Sequence, residues 1–244
     1  MSVRHKEEAP ARGTAEDRRA LTLSGALLLV GFVVNAVQRR LLHPTGEEDD
    51  HEAIFKEYAA SDAWVLTHLA EFVLVLVALA GLLVLCRALR PETPYLALFA
   101  GAAIVATGAA WAVLQAVDGV TLKQAVDAWA AASGKGTEEA IRFADAETTR
   151  WFEWGLQSYF RVLLGVAFVL VGASAVMSRL LPSWLGVLLV VTGLLSLSIG
   201  FSVGYEGLES SFQEAAGIAF QLAALAFVIG LLVVGRRTPG VTTT

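Results

Sequence analysis

Six long apolar stretches are the feature that most constrains the fold of this chain. They are 19 to 25 residues long and lie at residues 20–38, 63–86, 94–117, 154–178, 183–205 and 215–235. A helix needs about 20 apolar residues to cross the hydrocarbon core of a bilayer. Only 17% of the residues are charged, against about 25% in a typical soluble domain. The sequence therefore predicts an all-α bundle of six transmembrane helices in a multi-pass protein of the cell membrane. It excludes a soluble enzyme, a nucleic-acid-binding protein and, with a single cysteine, a disulfide scaffold.

The distribution of charge predicts the orientation of these spans. Basic residues are concentrated in the N-terminal tail, in two short connections and after the last span, whereas most acidic residues lie in the other three connections. Because basic segments remain in the cytoplasm, both termini are predicted to be cytoplasmic. Arg39 and Arg40 end the first span on the opposite side and do not follow this rule.

A single membrane domain is predicted over residues 20–237, between disordered polar tails at 1–19 and 238–244. The polar start and the lack of a small-residue cleavage site favour a retained first helix over a signal peptide. Residues 43–61 and 119–150 are predicted to be external. Within 119–150, Leu122, Val126 and Trp129 recur at helical spacing, and Thr137 with the acidic residues after it is typical of a new helix start. We therefore expect a helical external cap between the third and fourth spans.

The fifth span begins with the hexapeptide Leu181-Pro182-Ser183-Trp184-Leu185-Gly186. Proline favours the first turn of a helix, and tryptophan favours the membrane interface. In this motif, in its six-helix layout and in its long third connection, the chain resembles the DUF4386 family of small bacterial multi-pass membrane proteins. The resemblance implies a helical bundle. It implies no established activity, so it assigns no functional residues.

Two ionisable side chains interrupt the apolar spans at matching depth. Glu71 lies seven residues after Trp64 in the second span, and Arg161 lies seven residues after Trp154 in the fourth. Each is thus roughly 10 Å deeper than its interfacial tryptophan. Because a charge inside a membrane is costly, such residues are candidates for function by default. We expect Glu71 and Arg161 to form an ion pair, which either fixes the register of the helices or contributes to a ligand or proton site. The alternative is that each has an independent partner, or that Arg161 extends towards the outer water.

Other polar side chains lie at a similar height in the remaining spans. The inner halves of the second, fourth and sixth spans are by contrast almost wholly apolar. These patterns predict an outward-facing polar pocket, closed towards the cytoplasm, although simple clustering at one interface would give the same pattern. Its predicted lining residues are Glu71, Arg161, His68, Asp118, Gln115, Gln157, Asn35, Gln221 and Ser198.

Histidines suggest a second use for this region. His68 and Glu71 are three residues apart, a spacing that directs two ligands of a helical bundle at one ion. With Asp118, or with His43 or His51 from the adjoining connection, they could bind zinc, copper or iron. The alternative is that His68 simply forms a hydrogen bond with Glu71 or Asp118. No other cofactor is predicted.

The pattern favours a non-enzymatic membrane protein that binds a small polar or ionic ligand, for sensing, transport or assembly of a complex. One alternative is a membrane enzyme for a lipid-like or isoprenoid substrate, with Glu71 or Asp118 as a general acid. A second alternative is a purely structural partner subunit. Gly200 and Gly204 form a GxxxG pair, which leaves a homo-oligomer open.

Overall fold

The computed structural model describes residues 14–42, 50–208 and 210–236. Within these ranges the regular structure is entirely helical. The helices are α1 (Ala15–Leu29), α2 (Asn35–Leu42), α3 (His51–Ala60), α4 (Trp64–Leu89), α5 (Pro94–Ala116), α6 (Lys123–Ala131), α7 (Thr137–Met177), α8 (Ser183–Glu206) and α9 (Ser211–Arg236). The predicted tail residues before Thr14 and after Arg236, and His43, lie outside the described residues.

Among the described residues, six helical segments are long and apolar enough to cross a membrane, which agrees with the predicted bundle of six transmembrane helices. They are Ala15–Leu42, Trp64–Leu89, Pro94–Ala131, Thr137–Met177, Ser183–Glu206 and Ser211–Arg236. The first begins before the apolar stretch that predicted it. There the Thr14 side chain accepts from the backbone N–H of Asp17, whose carboxylate in turn accepts from Thr14. This capping box satisfies backbone donors at the helix start and extends the helix into the predicted tail, so Ala15 to Arg19 are helical.

Two of the spans contain a short π-helical segment. Val30–Val34 joins α1 to α2, and Val117–Leu122 joins α5 to α6. Both spans continue as helices beyond the π-helical segment, so Arg39 lies on a helix rather than in a loop. Such segments widen the helix locally and occur frequently at functional sites.

Helices α7 and α8 form the closest packed pair of the bundle. A Cβ atom added to Gly165 would lie 2.7 Å from the carbonyl oxygen of Gly193, and one added to Gly172 would lie 2.8 Å from that of Gly186. Small residues let membrane helices approach this closely. Gly200 also packs within this seam, 2.9 Å from the Ser158 carbonyl oxygen by the same measure. The GxxxG pair thus contributes to packing inside the chain.

A second apolar cluster joins α3, α6 and the start of α7 at one end of the bundle. Its buried members include Phe55, Tyr58, Leu122, Val126 and Trp129. The predicted helix start at Thr137 is confirmed, and α7 runs without a break into the fourth span. We call this group of α3, α6 and the first part of α7 the cap, and its side of the bundle the cap end.

The two described chain ends lie together at the opposite side, which we call the terminal end. Gly235 near the end of α9 packs against Thr22 near the start of α1, while Gly25 packs against Leu232. The first and last spans are therefore antiparallel neighbours.

Candidate functional site

Two connected chambers occupy the half of the bundle nearest the cap. The larger chamber has a volume of about 650 Å³ and lies among the cap, α2, α7, α8 and α9. Small-molecule sites commonly measure about 300–1,000 Å³. Its polar lining residues include Arg39, Asp118, Arg150, Glu153, Gln157 and Arg161. The smaller chamber, of about 230 Å³, lies deeper and is lined by residues of all six spans.

The chambers meet at a neck formed by four residues that line both of them. These residues are Arg39 from α2, Gln157 and Arg161 from one face of α7, and Gly217 from α9. Gln157 and Arg161 are four residues apart, so their side chains lie one above the other on the helix. A Cβ atom added to Gly217 would meet nothing within 4 Å, which shows that the neck is open at this point.

The prediction that Glu71 pairs with Arg161 is wrong, because Glu71 lies against Arg39 instead. Glu71 is buried, and its Oε1 atom lies 4.0 Å from Nε of Arg39. Arg161 makes no ion pair within the part of the chain that the structure describes, and its guanidinium carbon lies 5.7 Å from the ring centre of Phe220. The correction arises because the first span continues as α2 and packs against α4, so Arg39 reaches Glu71.

Arg161 therefore lies at the neck beside a second cation. It is half-buried, and the positive charge of Arg39 acts on it. Two guanidinium groups close together repel each other. The electrostatics of the neck thus favour a negatively charged group between them.

His68 and Asp118 form a buried pair next to the larger chamber. His68 Nδ1 lies 2.8 Å from the carbonyl oxygen of Trp64, and its Nε2 lies 3.2 Å from Oδ2 of Asp118. A carbonyl oxygen only accepts, so Nδ1 donates there and carries a proton. At 3.2 Å, Nε2 forms an ion pair with the carboxylate when the imidazole carries its second proton. Gly119 permits this approach, since an added Cβ would lie 2.6 Å from Cβ of His68.

The predicted lining residues fall into three groups. Arg161, Gln157 and Asp118 line the larger chamber, and Asn35 and Gln221 line the smaller one. His68, Glu71 and Gln115 are buried behind the chamber walls.

Ser198 was wrongly included among the lining residues. It is exposed on α8, and its hydroxyl donates to the carbonyl oxygen of Leu194. The sequence assigned it by depth, but it lies on the opposite face of its helix from the buried Ser196 and Ile199.

The predicted metal ligands are not all brought together. His51 lies against the cap, with Nδ1 3.0 Å from Oε1 of Glu147 and its ring stacked on Phe55, whereas His68 contacts Asp118. Among residues 14–42, 50–208 and 210–236, no group of three His, Cys, Asp or Glu side chains could hold a metal ion. His43 lies outside the described residues.

The structure adds site residues that the sequence reasoning missed. Arg150 and Glu153 are buried in the larger chamber wall, where Nη1 and Oε2 are 2.6 Å apart. Their spacing of three residues on a helix, just before an apolar stretch, was the available signal. For Arg39 the available signal was its departure from the positive-inside rule. Gly217 gave no signal, because it has no side chain.

Trp111 contributes a further polar group to the smaller chamber. Its side chain is buried, and its indole Nε1 has no hydrogen-bond partner among the described residues. An indole N–H can only donate. Together with Arg161 at the neck, the chamber therefore presents donors to any ligand that carries an acceptor or an anionic group.

Comparison with known proteins agrees with this architecture. Residues 23–235 match the family described as "Domain of unknown function (DUF4386)". No curated protein and no solved structure shows a significant match to the chain. The match extends over all six spans and both chambers. The chain therefore belongs to the DUF4386 family.

Proposed function

We propose that this protein binds a small ligand with an anionic group at the neck between the two chambers. The observation that carries the proposal is the position of Arg161. It lines both chambers, makes no ion pair with any described residue, and lies beside the second cation Arg39. An anion at this point would accept charge-assisted hydrogen bonds from Arg161 and reduce the repulsion between the two guanidinium groups.

The proposal includes an orientation in the cell membrane. By the distribution of basic residues, the terminal end faces the cytoplasm and the cap lies on the external face. The larger chamber then receives its ligand from outside. Leu28, Leu82 and Phe227 line the smaller chamber on its side towards the terminal end, and these apolar side chains favour a binding role in sensing or assembly over a continuous transport path.

Binding of inorganic phosphate and of acetate to the purified protein in nanodiscs of uncharged lipid tests the proposal. Hydrogen bonds to charged groups contribute about 1.5–3 kcal/mol. Arg161→Met is therefore expected to weaken anion affinity by roughly 10- to 150-fold, and Arg161→Lys to restore part of it. Arg87→Met is the matched control, since Arg87 is exposed near the end of α4 and lines neither chamber.

Thermal unfolding of the same variants without added anion separates ligand binding from a structural role. Because Arg161 has no carboxylate partner in the described chain, Arg161→Met is expected to leave the unfolding midpoint unchanged or to raise it. A large drop in the midpoint, with unchanged anion affinity in the folded fraction, would contradict the proposal.

A second candidate is an enzyme that uses the His68–Asp118 pair as a proton donor. The specific observation in its favour is that Asp118 lines the larger chamber while its Oδ2 lies 3.2 Å from Nε2 of His68. A carboxyl group in such a position can act as a general acid. If His68→Gln abolishes turnover of a lipid-like substrate while phosphate affinity is unchanged, the enzyme proposal gains over simple binding.

A further inference from the structure

The two chambers differ sharply in character on either side of the neck. The larger chamber is lined by six acidic or basic side chains and several hydroxyl and amide groups. Below Arg161 and Gln221, the walls of the smaller chamber are mostly aliphatic and aromatic, with Leu82, Phe168 and Val228 among them. A ligand that fills both spaces would therefore have a charged end and an apolar end.

A groove on the side of the bundle leads to the smaller chamber. It has a volume of about 440 Å³ and shares Phe32, Ala36 and Gln221 with the smaller chamber. The groove lies between the first and last spans. Helix α1 packs closely against α9, but the continuation of the same span, α2, packs mainly against α4. The two spans thus separate towards the cap end and leave the neck region accessible from the surface that faces lipid.

We propose that the ligand is a single-chain anionic amphiphile, which reaches the site sideways from the bilayer between α2 and α9. Its charged group lies at the neck against Arg161, and its chain lies in the smaller chamber. This inference rests on the proposed anion site. It adds the chemical class of the ligand and the direction from which it arrives.

Charge and shape together support one occupant. A free inorganic anion would compensate the charge of Arg161 but would leave the smaller chamber empty. An uncharged chain would fill the smaller chamber but would leave Arg161 without an anionic partner among the described residues. The exposed apolar residues Val37 and Leu222 beside the groove are compatible with a chain that slides in from the lipid.

A series of water-soluble alkyl phosphates tests the inference in nanodiscs of uncharged lipid, with empty nanodiscs as the correction for partitioning. The probes are inorganic phosphate, butyl phosphate, octyl phosphate and octanol. Burying one methylene group from water favours binding by up to about fourfold. Affinity is therefore expected to rise at least tenfold from phosphate to butyl phosphate and again to octyl phosphate, while octanol binds far more weakly than octyl phosphate.

The variant Ala36→Trp tests the side opening. Ala36 is exposed and lines both the groove and the smaller chamber, whereas Val34 is exposed and lines neither. Ala36→Trp is expected to remove the gain in affinity from the alkyl chain and to leave phosphate affinity unchanged. Val34→Trp, the matched control, is expected to bind the whole series like the parent protein.

The outcomes separate this inference from the function on which it rests. If phosphate and octyl phosphate bind equally well and both depend on Arg161, the anion site is supported and the amphiphile is refuted. If octanol binds as tightly as octyl phosphate and Arg161→Met has no effect, both are refuted. The chain-length series on the parent protein decides between these results even if Ala36→Trp fails to fold.

Discussion

Removing one partner of the buried Arg150–Glu153 pair is expected to cost far more stability than removing an exposed pair on the same helix. The two side chains are 3% and 1% exposed, and Nη1 lies 2.6 Å from Oε2. The Arg150 guanidinium also lies 5.7 Å from the ring centres of Tyr58 and Trp154. Breaking a buried pair costs about 3–5 kcal/mol, because the remaining charge stays buried without compensation. We expect Arg150→Met and Glu153→Leu each to lower the free energy of unfolding by about this amount.

A double-mutant cycle measures the coupling between the two residues. The double variant leaves no uncompensated charge, so it is expected to be no less stable than either single variant. The coupling free energy is then about 3 kcal/mol or more. Equilibrium unfolding in mixed micelles with a denaturing detergent, followed by helical circular dichroism, gives each value.

The matched control is Arg142–Asp145, a pair with the same spacing on α7. Its charged atoms are 3.8 Å apart, and its side chains are 48% and 60% exposed. Exposed pairs contribute about 0–1 kcal/mol, so Arg142→Met is expected to have little effect. If Arg150→Met and Arg142→Met prove equally mild, water reaches the base of the cap and the reasoning from burial is refuted.

Glycines provide two further predictions, each with a control in open space. Gly172→Leu is expected to destabilise the protein by about 1–3 kcal/mol or more, because its Cβ would lie 2.8 Å from the Gly186 carbonyl oxygen. The control Gly101→Leu is expected to leave the unfolding midpoint unchanged, because a Cβ at Gly101 would meet nothing within 4 Å. Gly217→Leu fills the open neck and is expected to weaken phosphate binding without changing stability. The control Gly155→Leu is expected to change neither phosphate affinity nor the unfolding midpoint, because Gly155 is exposed and lies outside both chambers. Thermal unfolding and phosphate titration of the four variants check both predictions.

The six spans could be predicted from the sequence because the length of an apolar run is a local property. The bilayer requires about 20 apolar residues whatever the neighbouring helices are. The helix start at Thr137 was equally local, since glycines precede it and acidic residues follow it. The earlier start of α1 at Ala15 was missed because a capping box can extend a helix through polar residues.

Only the depth of the candidate site within the bundle could be predicted from the sequence. Helical rise gives the height of each polar residue in the bundle, and the neck does lie at the level of Arg161. It gives no information on which helices are neighbours or which way each face points. Ser198 lies at the depth of the site but is exposed on the outside of the bundle. Gly217 lies at the neck but has no polar side chain by which the sequence could identify it.

The error in the ion pair bears directly on function. If Glu71 had paired with Arg161, the charge of Arg161 would have been neutralised by its own protein, and the neck would have needed no ligand. Because Arg39 reaches Glu71 instead, the carboxylate that was predicted for Arg161 is engaged from the first span. Arg161 is then a cation without an ion pair among the described residues, on a wall that two chambers share. A charge in that position is costly unless an anion accompanies it, so the arrangement of helices that refutes the predicted pair is the same arrangement that favours an anionic ligand.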